Sequence, residues 1–235
     1  MKTFPPRFEI LPQAQRDLWA ELGPIKDFGF VLYGGTAVAL QLGHRSSVDF
    51  DFFNHSTFDR QRLKEALPFF RDGELIQDHH NTLEVITRGG VKVSFFGGIT
   101  FGRVGTPRLT ADGVMAVASL EDIMATKLKV MHERSESKDY RDIAAMIRAG
   151  VSLETGLAAA DKMYAPDFAP QIALKALVYF EDGDLKKLGT DDRRVLVNAA
   201  SVVKALPDVM ITPSLRAHDA RPPGASRSGV VAPSG

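Results

Sequence analysis

The sequence predicts an α+β fold in which a mixed α/β half is followed by a helical half. Up to about residue 112, short apolar or alternating runs that suit strands are interleaved with short helical patterns. After that point, successive segments all have helical period and composition. From Thr212 onward the chain is rich in Pro, Gly, Ser and Arg and has no periodicity. We therefore expect an α/β core over 1–112, a helical domain over 113–211 and a disordered tail over 212–235.

The α/β half begins with a predicted helix in "LPQAQRDLWAELGPI", where Leu18, Trp19 and Leu22 have helical spacing before a Gly-Pro stop. The apolar run "FGFVLYGG" predicts a buried strand that ends in glycines. The Ala/Leu-rich segment "TAVALQLGH" is closed by Gly43 and predicts a short helix. The alternating segment "SVDFDFF" predicts the next strand.

Two further patterns complete the α/β half. The segment "STFDRQRLKEALPFF" opens with the capping-box pair Ser56 and Asp59, so we expect a helix that closes before Pro68. The segment "LEVITRGGVKVSFFGG" contains two β-rich runs around a Gly-Gly pair, which predicts a hairpin turning at residues 88–90.

The helical half begins with a second capping-box pair, Ser119 and Asp122, at the start of "SLEDIMATKLKVMHE". Four more helices are predicted by the segments "SKDYRDIAAMIRAG", "SLETGLAAADKMYA", "PQIALKALVYFED" and "DDRRVLVNAASVVKAL". The five patterns follow one another without a β-rich run between them, so we expect this half to be entirely helical.

The composition of the chain bounds its function. Lys+Arg and Asp+Glu both number 29, so bulk charge gives no argument for a nucleic-acid partner. The chain has no cysteine, which excludes disulfides, thiolate catalysis and cysteine–zinc sites. The N-terminus lacks the apolar run of a signal peptide, and no segment approaches the ~20 apolar residues of a membrane helix. We therefore expect a cytoplasmic protein with no membrane partner.

Two aspartates, Asp49 and Asp51, alternate with phenylalanines in the predicted strand "RSSVDFDFF". Strand alternation places both carboxylates on one face, ~7 Å apart, and Val48 and the phenylalanines on the other. Carboxylates held that closely repel each other unless a cation lies between them, and Mg²⁺ commonly takes one or two carboxylates plus substrate phosphates. The pair therefore suits a Mg²⁺ (or Mn²⁺) site that a triphosphate completes. The alternative is the solvated face of an edge strand.

The segment Gly34-Gly35-Thr36 lies between a predicted strand and a predicted helix. Glycines allow close approach of a ligand to the backbone, and a helix N-terminus presents free N–H groups to an anion. Thr36 adds a hydroxyl donor. We therefore expect a phosphate cradle beside the two aspartates, which together are what phosphoryl or nucleotidyl transfer requires. The alternative is that the glycines only end a strand.

The stretch "GGTAVALQLGHRSSVDFDFF" resembles the opening motif of the AbiEii/AbiGii toxin family, within the polymerase-β-like nucleotidyltransferases. The matching residues are Gly34, Gly35, Thr36, Ala37, Arg45, Ser47, Asp49, Asp51 and Phe52. The resemblance implies a polymerase-β-like core with a small mixed sheet and flanking helices. It also implies that the glycines, Thr36, Arg45 and Ser47 bind the NTP. For Arg45, the residues alone leave open an ion pair with a nearby aspartate.

The first two predicted helices of the second half resemble a further signature of this family. The matching residues are Ala125, Lys127, Arg134, Lys138, Asp139, Asp142 and Ile143. Helical periodicity places Lys127 on the apolar stripe of its helix, Asp139 near the edge of the next stripe, and Asp142 further out. We expect Lys127 and Asp139 to point into a cleft between the two halves. The resemblance implies that Lys127 binds the triphosphate and that Asp139 is a catalytic partner; the alternative is a buried ion pair between helices.

Many polymerase-β-like transferases have a third carboxylate on a neighbouring strand, and the corresponding position here holds Ser94. Glu84 lies across the predicted hairpin, but the sequence does not fix the register that would decide its face. Three alternatives remain open. Glu84 or Asp139 substitutes for the absent acid, the site works with weaker base catalysis, or the protein no longer catalyses the reaction. The resemblance weakens this argument against catalysis, since the toxin-type family often lacks the third strand carboxylate.

These patterns predict a metal-dependent nucleotidyltransferase that moves NMP from an NTP to an acceptor hydroxyl and releases pyrophosphate. The resemblance implies RNA, such as a tRNA 3′ end, as acceptor, and a cognate antitoxin as partner. The alternative is a degenerate transferase that binds a nucleotide or a protein without turnover, which Ser94 favours. A third hypothesis is an interaction protein in which Asp49 and Asp51 are only a polar strand face.

Overall fold

The computed structural model describes residues 1–131 and 133–216, and the β-strands of this part of the chain form one mixed sheet. The strands are β1 (Thr3–Phe4), β2 (Val31–Tyr33), β3 (Asp49–Phe53), β4 (Glu74–His79), β5 (Thr82–Ile86), β6 (Lys92–Phe96), β7 (Arg108–Thr110) and β8 (Ala116–Val117). Their order across the sheet is β1-β7-β8-β2-β3-β6-β5-β4. Strand β3 lies near the middle, antiparallel to β2 and parallel to β6.

In the described part of the chain, three helices accompany the strands and five follow them, which confirms the predicted α+β fold class. The helices are α1 (Gln13–Leu18), α2 (Gly34–Leu42), α3 (Arg60–Ala66), α4 (Leu120–Val130), α5 (Ser137–Arg148), α6 (Leu153–Tyr164), α7 (Pro170–Leu177) and α8 (Thr190–Val202). Short 3₁₀ segments occur at Phe8–Ile10, Trp19–Phe28, Pro68–Phe70 and Leu185–Lys187. No helix among these residues has the length and apolar composition needed to cross a membrane.

The first predicted helix is shorter than its pattern suggested. Helix α1 ends at Leu18, and the chain continues as 3₁₀ turns that contain Pro24. Proline lacks an N–H and disfavours α geometry in the residue before it, so a regular α-helix is not continued through this segment. Leu22 and Ile25 are nevertheless fully buried in the core.

The predicted capping box at Ser56 is wrong. Helix α3 begins at Arg60, and its N-cap is Asp59, whose side chain accepts a hydrogen bond from the Arg62 N–H. Either Ser or Asp can serve as an N-cap, so the pattern alone allowed two starting points. The second predicted capping pair is present, because the Ser119 hydroxyl accepts from the Asp122 N–H at the start of α4.

Four strands lie outside the predicted pattern: β1, β4, β7 and β8. Strand β4 is mostly exposed and joins β5 through a turn with Asn81 in the left-handed region, at φ 61°. The other three are only two or three residues long, which is too short for an alternation pattern. The predicted domain boundary at residue 112 falls inside the β7–β8 hairpin, and Val117 of β8 pairs with Leu32 of β2.

The helical half packs directly on the sheet half. Helix α2 contacts both α4 and α5, while α4 packs on α6 and α5 packs on α8. After α8 the chain returns to the α/β half, where Thr212 bridges Arg103 and Leu215 is fully buried. Of the predicted tail, residues 217–235 lie outside the described residues.

Candidate active site

Strand β3 presents its two aspartates to a cleft and two of its phenylalanines to the core. Phe50 and Phe52 are fully buried, while Asp49 and Asp51 are partly accessible on the opposite face. Val48, predicted to share the buried face, is 59% exposed because the strand begins only at Asp49. The alternation therefore fixes the direction of both carboxylates from the first residue of the strand.

The surroundings of Asp51 fit a divalent cation. Burial raises the pKa of Asp51, the charge of Asp49 raises it further, and the ammonium groups of Lys92 and Lys127 act in the opposite direction. A cation bound between the two carboxylates would relieve that repulsion. Within the described residues no group of three Asp, Glu or His side chains could hold a metal ion. The protein thus offers two carboxylate ligands, a number that suits Mg²⁺ bound together with substrate phosphates.

Gly34 and Gly35 begin helix α2 beside this pair. Gly34 has φ +74°, a conformation that favours glycine, and a Cβ there would lie 2.6 Å from Asp51 Oδ2. A Cβ on Gly35 would lie 2.6 Å from Arg45 Nη2 and 2.9 Å from Ser47 Oγ. The helix N-terminus, a guanidinium and a hydroxyl therefore converge on one spot at the end of the cleft, which is a suitable environment for an anion.

Thr36 does not fit its predicted role as a hydroxyl donor to phosphate. Its side chain is buried, and its hydroxyl donates to the backbone carbonyl of Asp49. A hydroxyl has a single hydrogen, so this donor is already used. The bond instead ties the first turn of α2 to the first residue of β3, which fixes the glycine turn relative to the aspartates.

Asp142 lies at the centre of the charged network, although its helical position predicted a place further out. It is fully buried and accepts from Arg45 through Nε (2.6 Å) and Nη2 (2.8 Å), and it lies 2.7 Å from His44 Nε2. The prediction assumed a single buried stripe, whereas α5 is covered by α8 on one flank and by α2 on another. The guanidinium of Arg45 is thus engaged by an aspartate, as the alternative for this residue proposed.

Lys127 and Asp139 meet at the cleft wall. Lys127 Nζ is 2.6 Å from Asp139 Oδ1 and 2.8 Å from Asp142 Oδ2. The second oxygen of Asp139 accepts from Arg134 Nε at 3.3 Å. Asp139 is fully buried with both oxygens engaged by cations, so it is poorly suited to accept a proton from a substrate.

The cations around Asp142 also control its ionisation. Burial alone would raise the pKa of Asp142, but hydrogen bonds from His44 and Arg45 and the charges of Lys127 and Arg45 outweigh it. The pKa of Asp142 is therefore held well below its usual range. An ionised carboxylate in this position keeps three cationic or hydrogen-bonding side chains fixed at the back of the cleft.

The sheet register settles the face of Glu84. Asp51 pairs with Ser94, and Ser94 pairs with Glu84, so the three residues form one row across β3, β6 and β5. Glu84 Oε1 accepts from Ser94 Oγ at 2.9 Å and lies 3.0 Å from Lys92 Nζ. Glu84 is therefore the next carboxylate in the row after the position that lacks an acid.

Lys92 was absent from the predicted site. It lies two residues before Ser94 on β6 and is the register partner of Asp49. The hydrogen bond to Glu84 raises the pKa of Lys92 against the effect of partial burial. The alternation in "VKVSFF" already placed Lys92 on the face of Ser94 and could have identified it.

A cleft of about 480 Å³ lies between β3 and the helices α4 and α5. This volume is within the range of small-molecule sites. The cleft brings together all of the predicted site residues except the buried Thr36, and its mouth carries further cations. Its polar lining consists of Gly34, Gly35, Arg45, Ser46, Ser47, Asp49, Asp51, Lys92, Thr126, Lys127, Arg134, Lys138 and Asp139, with Tyr33 and Phe53 alongside.

Comparison with known proteins identifies several similar chains. A family model described as the nucleotidyl transferase AbiEii toxin of a type IV toxin–antitoxin system matches residues 24–210. An uncharacterized protein of Aquifex aeolicus (strain VF5) is 31% identical over 157 residues, which are 65% of this chain and 74% of that protein. The solution structure of the antibiotic-resistance factor ANT(2'')-Ia matches with a TM-score of 0.46 and 13% identity. That match covers 62% of this chain and 89% of the other.

Proposed function

Because the chain belongs to the AbiEii family of nucleotidyl transferase toxins and is an NTP-dependent nucleotidyltransferase, we propose that it transfers NMP from an NTP to a hydroxyl group of RNA. A divalent metal ion would be bound in the cleft during this transfer. The observation that carries the proposal is the convergence of the glycine turn, Asp49 and Asp51 in one cleft. Each part alone is common in proteins, but the combination supplies both an anion cradle and metal ligands.

Asp49 and Asp51 are the residues that would hold Mg²⁺ or Mn²⁺. The raised pKa of Asp51 supports this assignment, because an adjacent like charge and burial disfavour the ionised pair in the absence of a cation. When bound, the ion supplies neutralising charge to the phosphates. Gly34 constrains the position of Asp51, since no side chain fits between the α2 backbone and the Asp51 carboxylate.

The phosphates of the NTP would occupy the end of the cleft formed by Gly35, Arg45 and Ser47. The backbone N–H groups at the start of α2, the Arg45 Nη2 and the Ser47 hydroxyl lie close enough together to share one anion. Asp142 holds the Arg45 guanidinium through two hydrogen bonds, so its orientation is fixed before substrate binds. Lys127 faces the same cleft and, with Asp139 as its partner, contributes positive charge.

The reaction forms a bond between the acceptor oxygen and the α-phosphorus and breaks the bond from that phosphorus to the oxygen of the β-phosphate. Pyrophosphate leaves with the bonding electron pair. The acceptor proton passes to water, because Glu84, although it stands in the same row as Asp51, lies outside the residues that line the cleft. Asp139 does line the cleft, but its two oxygens are engaged by Lys127 and Arg134.

RNA, including a tRNA 3′ end, is the acceptor that we propose, with a cognate antitoxin as protein partner. The mouth of the cleft carries Arg134, Lys138 and Lys92, each between 42% and 49% exposed at the side chain. Such a local patch can attract a polyanion even though the net charge of the chain is zero. We propose a cytoplasmic location, where RNA and NTPs are available.

Incubation of the purified protein with labelled NTPs, total RNA and Mg²⁺ tests this function. We expect labelled RNA and released pyrophosphate with the native chain, and no labelling with Asp49→Ala. The matched control is Asp191→Ala, an exposed aspartate on α8 that should leave labelling unchanged. Labelling that persists in Asp49→Ala would contradict the assignment of the metal ligands.

Nucleotide binding without turnover is the second candidate, and Ser94 is the observation that favours it. Ser94 lies beside Asp51 at the position where a third carboxylate would stand. Calorimetric titration of NTPs with and without Mg²⁺ separates the candidates from a purely structural role. Mg²⁺-dependent binding without any labelled RNA would favour the non-catalytic candidate, and no binding at all would exclude both.

A further inference from the structure

A lysine, Lys92, stands beside the row of side chains that runs from Asp51 through Ser94 to Glu84. Lys92 pairs with Asp49 across β3 and β6, and its ammonium group lies 3.0 Å from Glu84 Oε1. The negative charges of Asp51 and Asp49 also favour the protonated form of Lys92. Its side chain is 42% exposed and lines the cleft, where it is accessible to a bound substrate.

The carboxylates near Lys92 are too few to hold two divalent ions. Asp51 is followed in its row by Ser94, which has no charge, and only then by Glu84. Glu84 is held by Ser94 and Lys92 through the same oxygen. Asp49, Asp51 and Glu84 do not form a metal-binding group among the residues that the structure describes. A second ion would have few protein ligands and would be repelled by the ammonium group.

We propose that the ammonium group of Lys92 takes the place of a second divalent cation. The site would then hold one divalent ion per bound NTP. This inference rests on the proposed nucleotidyl transfer, in which negative charge develops on the phosphates and the leaving group. A lysine on a central strand provides charge that needs no ligand exchange and is already positioned before substrate binds. Lys92 is thus a residue for charge stabilisation in addition to its ion pair with Glu84.

A purely structural ion pair predicts a different behaviour. If Lys92 only secured Glu84 on the sheet, its replacement would change stability and leave the number of bound metal ions and the NTP affinity unchanged. Lys129 provides a matched lysine, because it is on α4, pairs with Glu133 and is not part of the cleft lining. Lys129→Met therefore removes one positive charge and one exposed ion pair without altering the site.

The test counts Mn²⁺ ions bound to the full chain saturated with an α,β-methylene NTP analogue, which cannot undergo cleavage at the α-phosphorus. Electron paramagnetic resonance of free Mn²⁺ gives the count. We expect one Mn²⁺ per complex for the native chain and for Lys129→Met. Two Mn²⁺ per complex in the native chain would overturn the inference about Lys92 while leaving the proposed function intact. Failure to bind Mn²⁺ and analogue at all would overturn the proposed function itself.

The variant Lys92→Met completes the test. We expect either a second bound Mn²⁺, because the repelling ammonium is gone, or at least a ~10-fold weaker affinity for the analogue. An unchanged count together with an unchanged affinity would show that Lys92 does not act as a cation for the substrate. Urea unfolding of the variant shows whether it is folded, and Lys92→Arg, which keeps the charge, should restore the native affinity.

Discussion

The space that a side chain on Gly35 would need is occupied by the ends of Arg45 and Ser47. An added methyl group would push against Arg45 Nη2, which Asp142 holds, and against Ser47 Oγ, so these groups would have to shift. Thr36, the next residue, is constrained differently, because its hydroxyl bond to the Asp49 carbonyl links α2 to β3. Neighbouring residues in one short motif therefore have separable roles, with Gly35 shaping the anion site and Thr36 fixing the strand.

Gly35→Ala tests the proposed phosphate cradle. We expect the NTP affinity to fall ~10-fold or more, which corresponds to about 1.4 kcal/mol, because Arg45 and Ser47 lose their positions over the helix N-terminus. Isothermal titration with NTP and Mg²⁺ measures the change. Gly189→Ala is the control, since a Cβ at Gly189 meets no atom within 4 Å. Equal affinity in the two variants would place the phosphates elsewhere in the cleft.

At the level of elements, helix α5 carries its site residues on flanks that face different partners. Its apolar residues Tyr140 and Ile143 are buried, and Asp139 and Asp142 are buried as well. Lys127 of α4 forms ion pairs with both aspartates, and Arg45 of the loop after α2 forms an ion pair with Asp142. A helix buried on several sides positions charges that a one-stripe amphipathic helix would expose.

Asp142→Asn tests how much this network stabilises the fold. We expect a loss of about 3 kcal/mol or more at pH 7, because Arg45 and Lys127 would lose their buried counter-charge. Because the pKa of Asp142 is depressed in the folded state, its ionised carboxylate stabilises the fold above the unfolded-state pKa of ~4. This stabilisation is lost progressively as the pH falls from that value toward the lower folded-state pKa. Urea unfolding at pH 7 and at pH 3 should therefore show a smaller acid-induced loss in the variant than in the native chain.

The control for this experiment is Asp191→Asn. Asp191 forms an exposed pair with Arg194 on α8, and such pairs contribute between 0 and ~1 kcal/mol. The decrease in the free energy of unfolding between pH 7 and pH 3 should be the same for Asp191→Asn as for the native chain. If Asp142→Asn and the native chain lost equal stability on acidification, the network would not be a source of acid sensitivity.

At the level of the whole molecule, the two halves share their core and their site. Strand β8 follows the predicted boundary at residue 112 yet pairs with β2, and α2 is packed by α4 and α5. The cleft likewise takes Asp49 and Asp51 from the sheet half and Lys127 from the helical half. The structure therefore joins the predicted core and helical domain through both backbone pairing and side-chain contacts.

A fragment of residues 1–112 tests whether the predicted core is independent. We expect no cooperative urea transition, because the fragment lacks β8 and the helices that bury α2. Residues 1–216 are the control; they retain every described element and should unfold in a single transition. A cooperative transition in the short fragment, with Mg²⁺-dependent NTP binding, would show that the first half folds and binds alone.

The sequence by itself determined the local faces of the main elements. Alternation in "DFDFF" separates Asp49 and Asp51 from the buried phenylalanines, and the glycines mark the turn into α2. The order of strands and helices also predicted the α+β class, since period and turn residues act within a few positions of the chain. The Ser119 cap and the inward direction of Lys127 follow from the same local rules.

The tertiary structure alone decided which side chains meet. The central place of Asp142 depends on α2 packing against α5, and the face of Glu84 depends on its register with Ser94. The short strands β1, β7 and β8 exist because they pair with distant segments, since two or three residues carry no period of their own. These contacts join residues far apart in the chain, so their partners are set by packing and strand pairing, which a local pattern does not encode.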